Sequence, residues 1–350
     1  MTDQRIPVFL LTGFLGSGKT TVLNHWLAQP EFSNTAVIVN EFGAIGVDNE
    51  LIAKSDDNTI ELTTGCLCCT VSGSLVDTLQ DLMIRQRRGE IKKFDSVMIE
   101  TTGLADPAPV IQALMTSPVV GEYRLCRVIT TVEAPQGLST IKDYPEAMKQ
   151  AAVADDIIVT KMDLSKDHGA ATRSSLRTLN PGAAFHEARP DAIPVILSLE
   201  DGGSYDVAVR ADNVQQWLNV EAFDDHDHHH AHGNAHDSGI SSFVLSFDGP
   251  MVWQEVAAWL DALVIAHGPQ MLRVKGILNI EGRDQPIVVQ AVQRLFHPPF
   301  ALEKWPDDRP QSRLVFITNK ISEAYVREVY DVIRAPKGTS IQPNTLNLGA

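Results

Sequence analysis

Cysteine is scarce in this sequence. There are four in 350 residues, and three of them fall at positions 66, 68 and 69. So few, so placed, do not make the disulfide framework of a secreted domain, and Cys68 and Cys69, as chain neighbours, could be bridged only under strain. Positive charge is also short. The chain carries 29 Lys and Arg against 44 Asp and Glu, a net charge of −15, which repels phosphate backbones and argues against a nucleic-acid partner. No apolar run reaches the roughly 18 residues of a membrane span. The apolar stretch near the N-terminus, "VFLLTGFLG", is short and runs into glycines, as a first strand does and a signal peptide does not. The expectation is a soluble, cytoplasmic protein with reduced thiols and no membrane partner. With 44% hydrophobic residues, a chain this long can bury a sizeable core and more than one domain.

What is present is an alternation. "VFLLTGF", "TAVIVNEF", "SVMIETTG", "RLCRVITTVEA" and "DDIIVTKMD" have continuous apolar cores, as strands covered on both faces require. Helical stretches lie between them, such as "SLVDTLQDLMIRQ" with Leu75, Leu79, Leu82 and Met83 at helical spacing. The pattern predicts an α/β fold with a doubly wound, mostly parallel sheet over residues 1–222. Residues 223–239 form an expected linker. Its part 224–238, "DDHDHHHAHGNAHDS", holds six of the eleven histidines and no large apolar residue, so it cannot pack. A smaller α+β domain is expected over 240–350, with strands "SSFVLSF", "RVKGILNI", "PIVVQAVQRLF" and "SRLVFITN". Its first helix is expected to start at Pro250 and to share a face among Trp253, Val256, Ala257, Leu260 and Val264. Ser322 is the expected cap of a last helix through Val332.

"GFLGSGKT", from Gly13 to Thr20, is G-x-x-x-x-G-K-[ST] between a predicted strand and a predicted helix. Glycines allow backbone N–H groups to curl around phosphate oxygens, and the helix points its positive end at them. Gly13, Gly16, Ser17, Gly18, Lys19, Thr20 and Thr21 are therefore expected to bind a nucleoside triphosphate. Lys19 would reach the β and γ phosphates, and the Thr20 hydroxyl would ligate Mg²⁺. Thr160, Lys161 and Asp163, in "TKMD", end another strand and match a guanine-reading pattern. A carboxylate at 163 can accept from guanine N1–H and N2–H₂, a pair that adenine does not offer, while the lysine stem lies along the base. In "VMIETTG", Glu100 ends a strand and can hold Mg²⁺ through water, and the Gly103 N–H can sense the γ-phosphate. Lys19, Thr20 and Glu100 are the residues expected to act in hydrolysis. A P-loop kinase would need an acceptor-binding lid, and no lid signature is present.

"GFLGSGKT", "NEFGAIGVD", "GCLCC", "ETTGLADPAP" and "QAAVADDIIVTKMD" stand in an order that resembles the CobW-type family of metal-handling GTPases. "RVKGIL", "PIVVQAV" and "SRLVFI" are similar to that family's second domain. The resemblance implies a GTPase that delivers or inserts a transition metal into a client metalloprotein, most often zinc, with cobalt in the cobalamin branch. Ala44 stands where that family often has glutamate, so position 44 supplies no carboxylate.

Cys66, Cys68 and Cys69 can now be weighed. Thiolates are soft ligands that favour Zn²⁺ and other soft ions. The three can converge only if the chain turns, which Gly65, Ser72 and Gly73 permit. Three sulfurs leave a fourth tetrahedral position open, as transfer of an ion requires. Glu41, in the segment that resembles the family's switch, is the candidate fourth ligand. Packing of small hydrophobes and redox chemistry stay open as alternatives. Cys126, alone in a predicted strand, reads as core, and His25, His168, His186, His267 and His297 read as structural. The histidine-rich segment can collect ions without selecting among them. Two functions fit: a GTP-driven metal chaperone, with GTP, Mg²⁺ and zinc or cobalt, and a nucleotide-regulated metal buffer or sensor with little turnover. Assembly with further copies of the chain is left open.

Overall fold

The run Ile6–Gly13 has no polar alternation, and such a strand must be covered on both faces. In the computed structural model, which describes residues 4–40, 59–62, 71–189, 192–196, 239–306 and 310–335, this run is β1. Val8, Phe9, Leu10 and Leu11 are at most 1% exposed. Six further strands lie beside it: β2 (Thr35–Asn40), β3 (Thr59–Leu62), β4 (Ser96–Thr101), β5 (Tyr123–Glu133), β6 (Asp156–Thr160) and β7 (Ala184–Glu187). Their order is β3–β2–β4–β1–β5–β6–β7, and every pairing is parallel.

The helices are α1 (Lys19–Leu27), α2 (Val71–Arg87), α3 (Ala108–Met115), α4 (Gly137–Asp143), α5 (Pro145–Val153) and α6 (Ala170–Leu179). One face of the sheet packs Val8, Leu10, Ile38 and Ile99 against Leu75, Leu79 and Leu82 of α2 and Ile111 and Leu114 of α3. The other packs Phe9, Leu11, Val37 and Met98 against Val22, Leu23 and Trp26 of α1. Successive residues of one strand serve opposite faces, so the sheet is doubly wound, as its continuous apolar strands require. Cys126 is fully buried in the second of these clusters.

A second sheet follows. Its strands are β8 (Ile240–Phe247), β9 (Arg273–Leu278), β10 (Ile287–Val292), β11 (Leu295–Phe296), β12 (Phe300–Ala301) and β13 (Ser312–Asn319), in the order β11–β10–β9–β13–β8 with β12 beside β10. All the pairings among these strands are antiparallel. Helices α7 (Trp253–His267) and α8 (Glu323–Arg334) cover one face through Val256, Trp259, Leu260, Val326 and Tyr330. Ser322 caps α8, its Oγ accepting from Tyr325 N at 3.3 Å. Three sequence expectations are corrected here. Helix α7 begins at Trp253, not Pro250, because Met251 is held extended against Asn279 and Glu281 by backbone bonds of 2.8 and 2.9 Å. Its fully buried face is Val256, Trp259, Leu260 and Leu263; Trp253 packs half-buried against that core, and Ala257 and Val264 are half-buried. The stretch 286–296 is a hairpin, not one strand, turning at Gln293 with φ 51°.

The two sheets share a core. Leu272 and Ile317 of the second unit pack with Ala151, Ala152 and Leu176 of the first. Beside them Arg273 donates to Val153 O and Asp155 Oδ1, and Lys275 Nζ lies 3.4 Å from the same carboxylate. Burial works to raise the Asp155 pKa, but Arg273 and then Lys275 outweigh it and hold the carboxyl below its usual range. Burial, reinforced by Arg273, pushes Lys275 down to about 7 and His297 down to about 3. Apart from Gly239, the expected linker 223–239 lies outside the described residues.

Candidate functional site

The loop between β1 and α1 is shaped by a close approach. A Cβ on Gly13 (φ 143°) would sit 2.4 Å from Thr131 Oγ1 and 2.5 Å from Thr131 O, so only glycine lets the chain leave β1 beside β5. Gly16 and Gly18 follow with φ of 72° and 92°, and α1 starts at Lys19 with Gly18 at its N-cap. Ser17 Oγ lies 2.7 Å from Thr131 Oγ1. Lys19 is buried and folds back over the loop, its Nζ donating to Gly13 O at 3.0 Å and Phe14 O at 3.2 Å. Backbone amides at a helix N-terminus, with an ammonium among them, form an anion cradle.

β4 lies next to β1, and that adjacency brings Glu100 to the loop. Glu100 is buried, and its Oε1 accepts from Thr20 Oγ1 at 3.0 Å. A hydroxyl and a carboxylate are hard oxygen donors, the chemistry that suits Mg²⁺. Gly103 touches the loop from the same side: a Cβ there would lie 2.5 Å from Leu15 N and 2.7 Å from Leu15 Cδ2.

The third element arrives from β6. Thr160 Oγ1 donates to Ser17 O at 2.7 Å, which ties the TKMD segment to the phosphate loop. Lys161 adopts a left-handed conformation (φ 53°), and its Nζ meets Glu133 Oε2 at 2.7 Å. A pocket of about 270 Å³ opens between the two segments, lined by Gly18, Thr21, Lys161, Asp163, Arg189 and Ile193 among others. Its far wall is absent from the sequence reading. Ala188 is tied by its N–H to Val159 O at 2.9 Å, and Arg189 and Ala192 exchange backbone bonds of 3.1 and 3.0 Å. Trp26 Nε1 holds Pro194 O at 2.9 Å. No sequence signal marks it: "AFHE" has no strand-like apolar run to announce β7, and Ala188 joins the core only through the fold.

A second ring of contacts surrounds Gly103. Gln150 Nε2 donates to Gly103 O at 3.1 Å and Ala105 O at 2.9 Å. Asp106 Oδ2 accepts from Lys149 Nζ at 2.8 Å and from Gln293 Nε2 of the second unit at 3.3 Å.

Gly13, Gly16, Ser17, Gly18, Lys19, Thr20, Thr21, Glu100, Gly103, Thr160, Lys161 and Asp163 thus lie at or just beyond the C-terminal ends of the interior strands β1, β4 and β6. Glu41, Ala44, Cys66, Cys68, Cys69 and the histidine-rich segment 224–238 lie outside the described residues. Among the described residues no group of three His, Cys, Asp or Glu side chains is placed to hold a metal ion. His186 is structural, its Nε2 lying 2.8 Å from Asp156 Oδ1, and no described helix is long and apolar enough to cross a membrane.

A glycine loop leading from the first strand of a doubly wound parallel sheet into a helix, with its lysine among the loop carbonyls, places this chain among the P-loop nucleotide-binding proteins. Comparison with known proteins narrows that class. Residues 7–187 match the CobW/HypB/UreG nucleotide-binding domain and residues 240–332 the cobalamin synthesis protein cobW C-terminal domain, so the chain belongs to the CobW/HypB/UreG family. It is 33% identical over 330 residues to the zinc chaperone YjiA of Escherichia coli, spanning 94% of this chain and 99% of the relative. It is 30% identical over 361 residues to the zinc chaperone CobW of Pseudomonas aeruginosa, spanning 93% and 90%. The Zn(II)-bound crystal structure of the E. coli YjiA GTPase superposes with a TM-score of 0.70 at 28% identity, covering 95% of this chain and all of that one. A variant of YjiA with one glutamate and two cysteines changed to alanine is likewise Zn(II)-bound in its crystal structure.

Proposed function

We propose that this chain is a GTP-hydrolysing metal chaperone that carries zinc at Cys66, Cys68 and Cys69, with Glu41 as fourth ligand, to a client protein. The observation that carries the nucleotide half is the joining of TKMD to the phosphate loop. Thr160 bonds Ser17 O at 2.7 Å, and Asp163 lines a pocket of about 270 Å³ that opens on Gly18 and Thr21. Phosphates in the loop and a purine in that pocket fit one nucleotide. Asp163 faces the pocket as an acceptor for guanine N1–H and N2–H₂. Lys19 exchanges the carbonyls of Gly13 and Phe14 for phosphate oxygens. Thr20 and Glu100 are the pair that would hold Mg²⁺, which when bound neutralises charge on the phosphates.

The metal half is supported by the ligand chemistry of the cysteine cluster and by relatives named as zinc chaperones. Zinc is cargo in this reading, and a fourth position held by a carboxylate and not by a fourth thiolate is the one that release would open. Gly103, Gln150, Asp106 and Gln293 form a contact chain from the phosphate loop to the C-terminal unit, a route by which nucleotide state could be felt where a client docks. The test is one assay with two readouts. Purified protein is given GTP or ATP, and phosphate release is followed together with zinc transfer to an apo-acceptor. GTP-selective turnover with faster transfer is expected. Equal use of ATP, or transfer indifferent to nucleotide, contradicts the proposal; zinc binding without turnover indicates a buffer.

A further inference from the structure

Lys161 adopts an uncommon conformation: its φ of 53° lies in the left-handed region, which disfavours a side-chain-bearing residue. Such a conformation persists where neighbours determine it, and the neighbours here are explicit. Thr160, just before it, is fixed to Ser17 O and its own carbonyl accepts from Ala134 N at 2.9 Å. Glu133, the last residue of β5, stands in register with Thr160. Its carboxylate then takes the lysine head, Nζ to Oε2 at 2.7 Å, with the two side chains 38% and 18% exposed.

Anchoring the head fixes the stem. Lys161 lines the pocket that Asp163, Arg189 and Ile193 also line, and a stem held at its head is available as a fixed wall. A free lysine samples many rotamers, and a ligand packing against it must remove part of that freedom on binding. An ion pair already in place removes it beforehand.

We infer that Glu133 is a positioning residue for the nucleotide base: it acts on the ligand through Lys161, by presenting the lysine stem as a fixed wall of the pocket. This rests on reading that pocket as the base site. Glu133 touches neither phosphate-binding element by hydrogen bond among the contacts described, so its effect should be blind to the phosphate chain. Glu133 also borders a small cavity behind Phe14 and Ser17, which supplies the competing outcome: an effect on the loop itself.

The experiment is a double-mutant cycle on the full-length protein, measuring Kd for GTP and GDP in wild type, Glu133→Ala, Lys161→Ala and the double variant. Glu133→Ala should weaken both nucleotides by the same factor, roughly two- to fivefold for a half-exposed pair. In the Lys161→Ala background the same change should add nothing. Glu133→Gln, which keeps an acceptor and the side-chain volume, should fall between and guards against misfolding of the alanine variant. Additive losses, no loss, or a loss confined to GTP overturns the inference. Asp163→Asn separates the two layers, since an amide should trade GTP for xanthosine triphosphate. If that exchange holds while the Glu133 losses add, only the role of Glu133 falls. If the exchange itself fails, the base reading falls and the inference with it.

Discussion

Gln293 donates to Asp106 at 3.3 Å across 187 residues of sequence, from the β10–β11 turn to the segment that follows Gly103. Asp106 is also held by Lys149, and Gln150, the next residue of α5, holds the carbonyls of Gly103 and Ala105. One helix and one turn therefore grip the loop that abuts Leu15 of the phosphate cradle. Gln293→Ala should leave nucleotide affinity nearly unchanged, because the lost bond is partly exposed and worth about 1 kcal/mol. It should shrink the difference in amide exchange between GTP- and GDP-loaded protein over residues 287–296. An unchanged difference would show that the turn does not sense the nucleotide.

Gly103 leaves no room for a side chain. Gly103→Ala would place a Cβ 2.5 Å from Leu15 N, and the contact is to backbone, so the loop itself must shift. A misplacement near 1 Å at reacting groups costs about a hundredfold in rate. GTP turnover should fall by one to two orders of magnitude (about 10–100-fold), with a smaller loss of GDP affinity. Wild-type turnover in this variant, measured by phosphate release, would remove Gly103 from the phosphate site.

Acid should weaken the fold from a definite pH. His297 stays neutral in the folded state down to about pH 3, whereas an unfolded histidine charges near 6.5. Between those values the unfolded chain binds the extra proton, so the stability contributed by a neutral His297 is full above 6.5 and falls as pH drops. The penalty at pH 5 is about 2 kcal/mol from a difference of roughly 1.5 units. Asp155, held low by Arg273 and Lys275, adds a loss of the same sign only below its unfolded value near 4. Melting temperatures from pH 7.5 to 4.5 should decline in wild type and decline less in His297→Gln. Parallel curves would place the acid sensitivity elsewhere.

Deleting 224–237 removes six histidines and no large apolar side chain. GTP turnover and the tightest zinc site should survive, while total metal bound at saturation falls. The remaining weak sites should lose their dependence on pH near 6.5, where free imidazole protonates. Loss of the tightest site, read by competition with a zinc chelator, would assign the histidines to it.

The phosphate loop was legible because its signal is local: glycines, lysine and threonine at fixed spacing between a strand and a helix. Glu100 and TKMD were legible because each ends an apolar strand, and a doubly wound sheet gathers strand ends along one edge. The rest depends on contacts distant in sequence. Nothing in "QAVQRLF" marks Gln293 as the partner of Asp106, and the apolar pattern there hides a turn that a left-handed Gln293 makes. Nothing in "RLCRVITTVEA" marks Glu133 as the partner of Lys161; its register with Thr160 sets it there. Arg189 and Ile193 follow a four-residue strand whose residues are half-buried or exposed, so no hydrophobic period announces them. Asp155 opens the run "DDIIVTKMD", yet it is buried against Arg273 and Lys275, a site defined by how two domains meet.

The central claim is that zinc and GTP are linked within one chain, and a single titration addresses it. GTP is titrated into wild-type protein and into the variant with Cys66, Cys68 and Cys69 replaced by Ser, each with and without one equivalent of zinc. Linkage requires that if GTP alters zinc affinity, zinc alters GTP affinity by the same factor. A coupling of 1–3 kcal/mol, typical of such systems, moves the GTP Kd by about 5–150-fold. Serine hydroxyls are poor substitutes for thiolates, so the variant should bind GTP normally, lose the tight stoichiometric zinc site and show no zinc-dependent shift. Equal shifts in both proteins would contradict the assignment of the cysteines, and no shift in wild type would contradict the coupling itself.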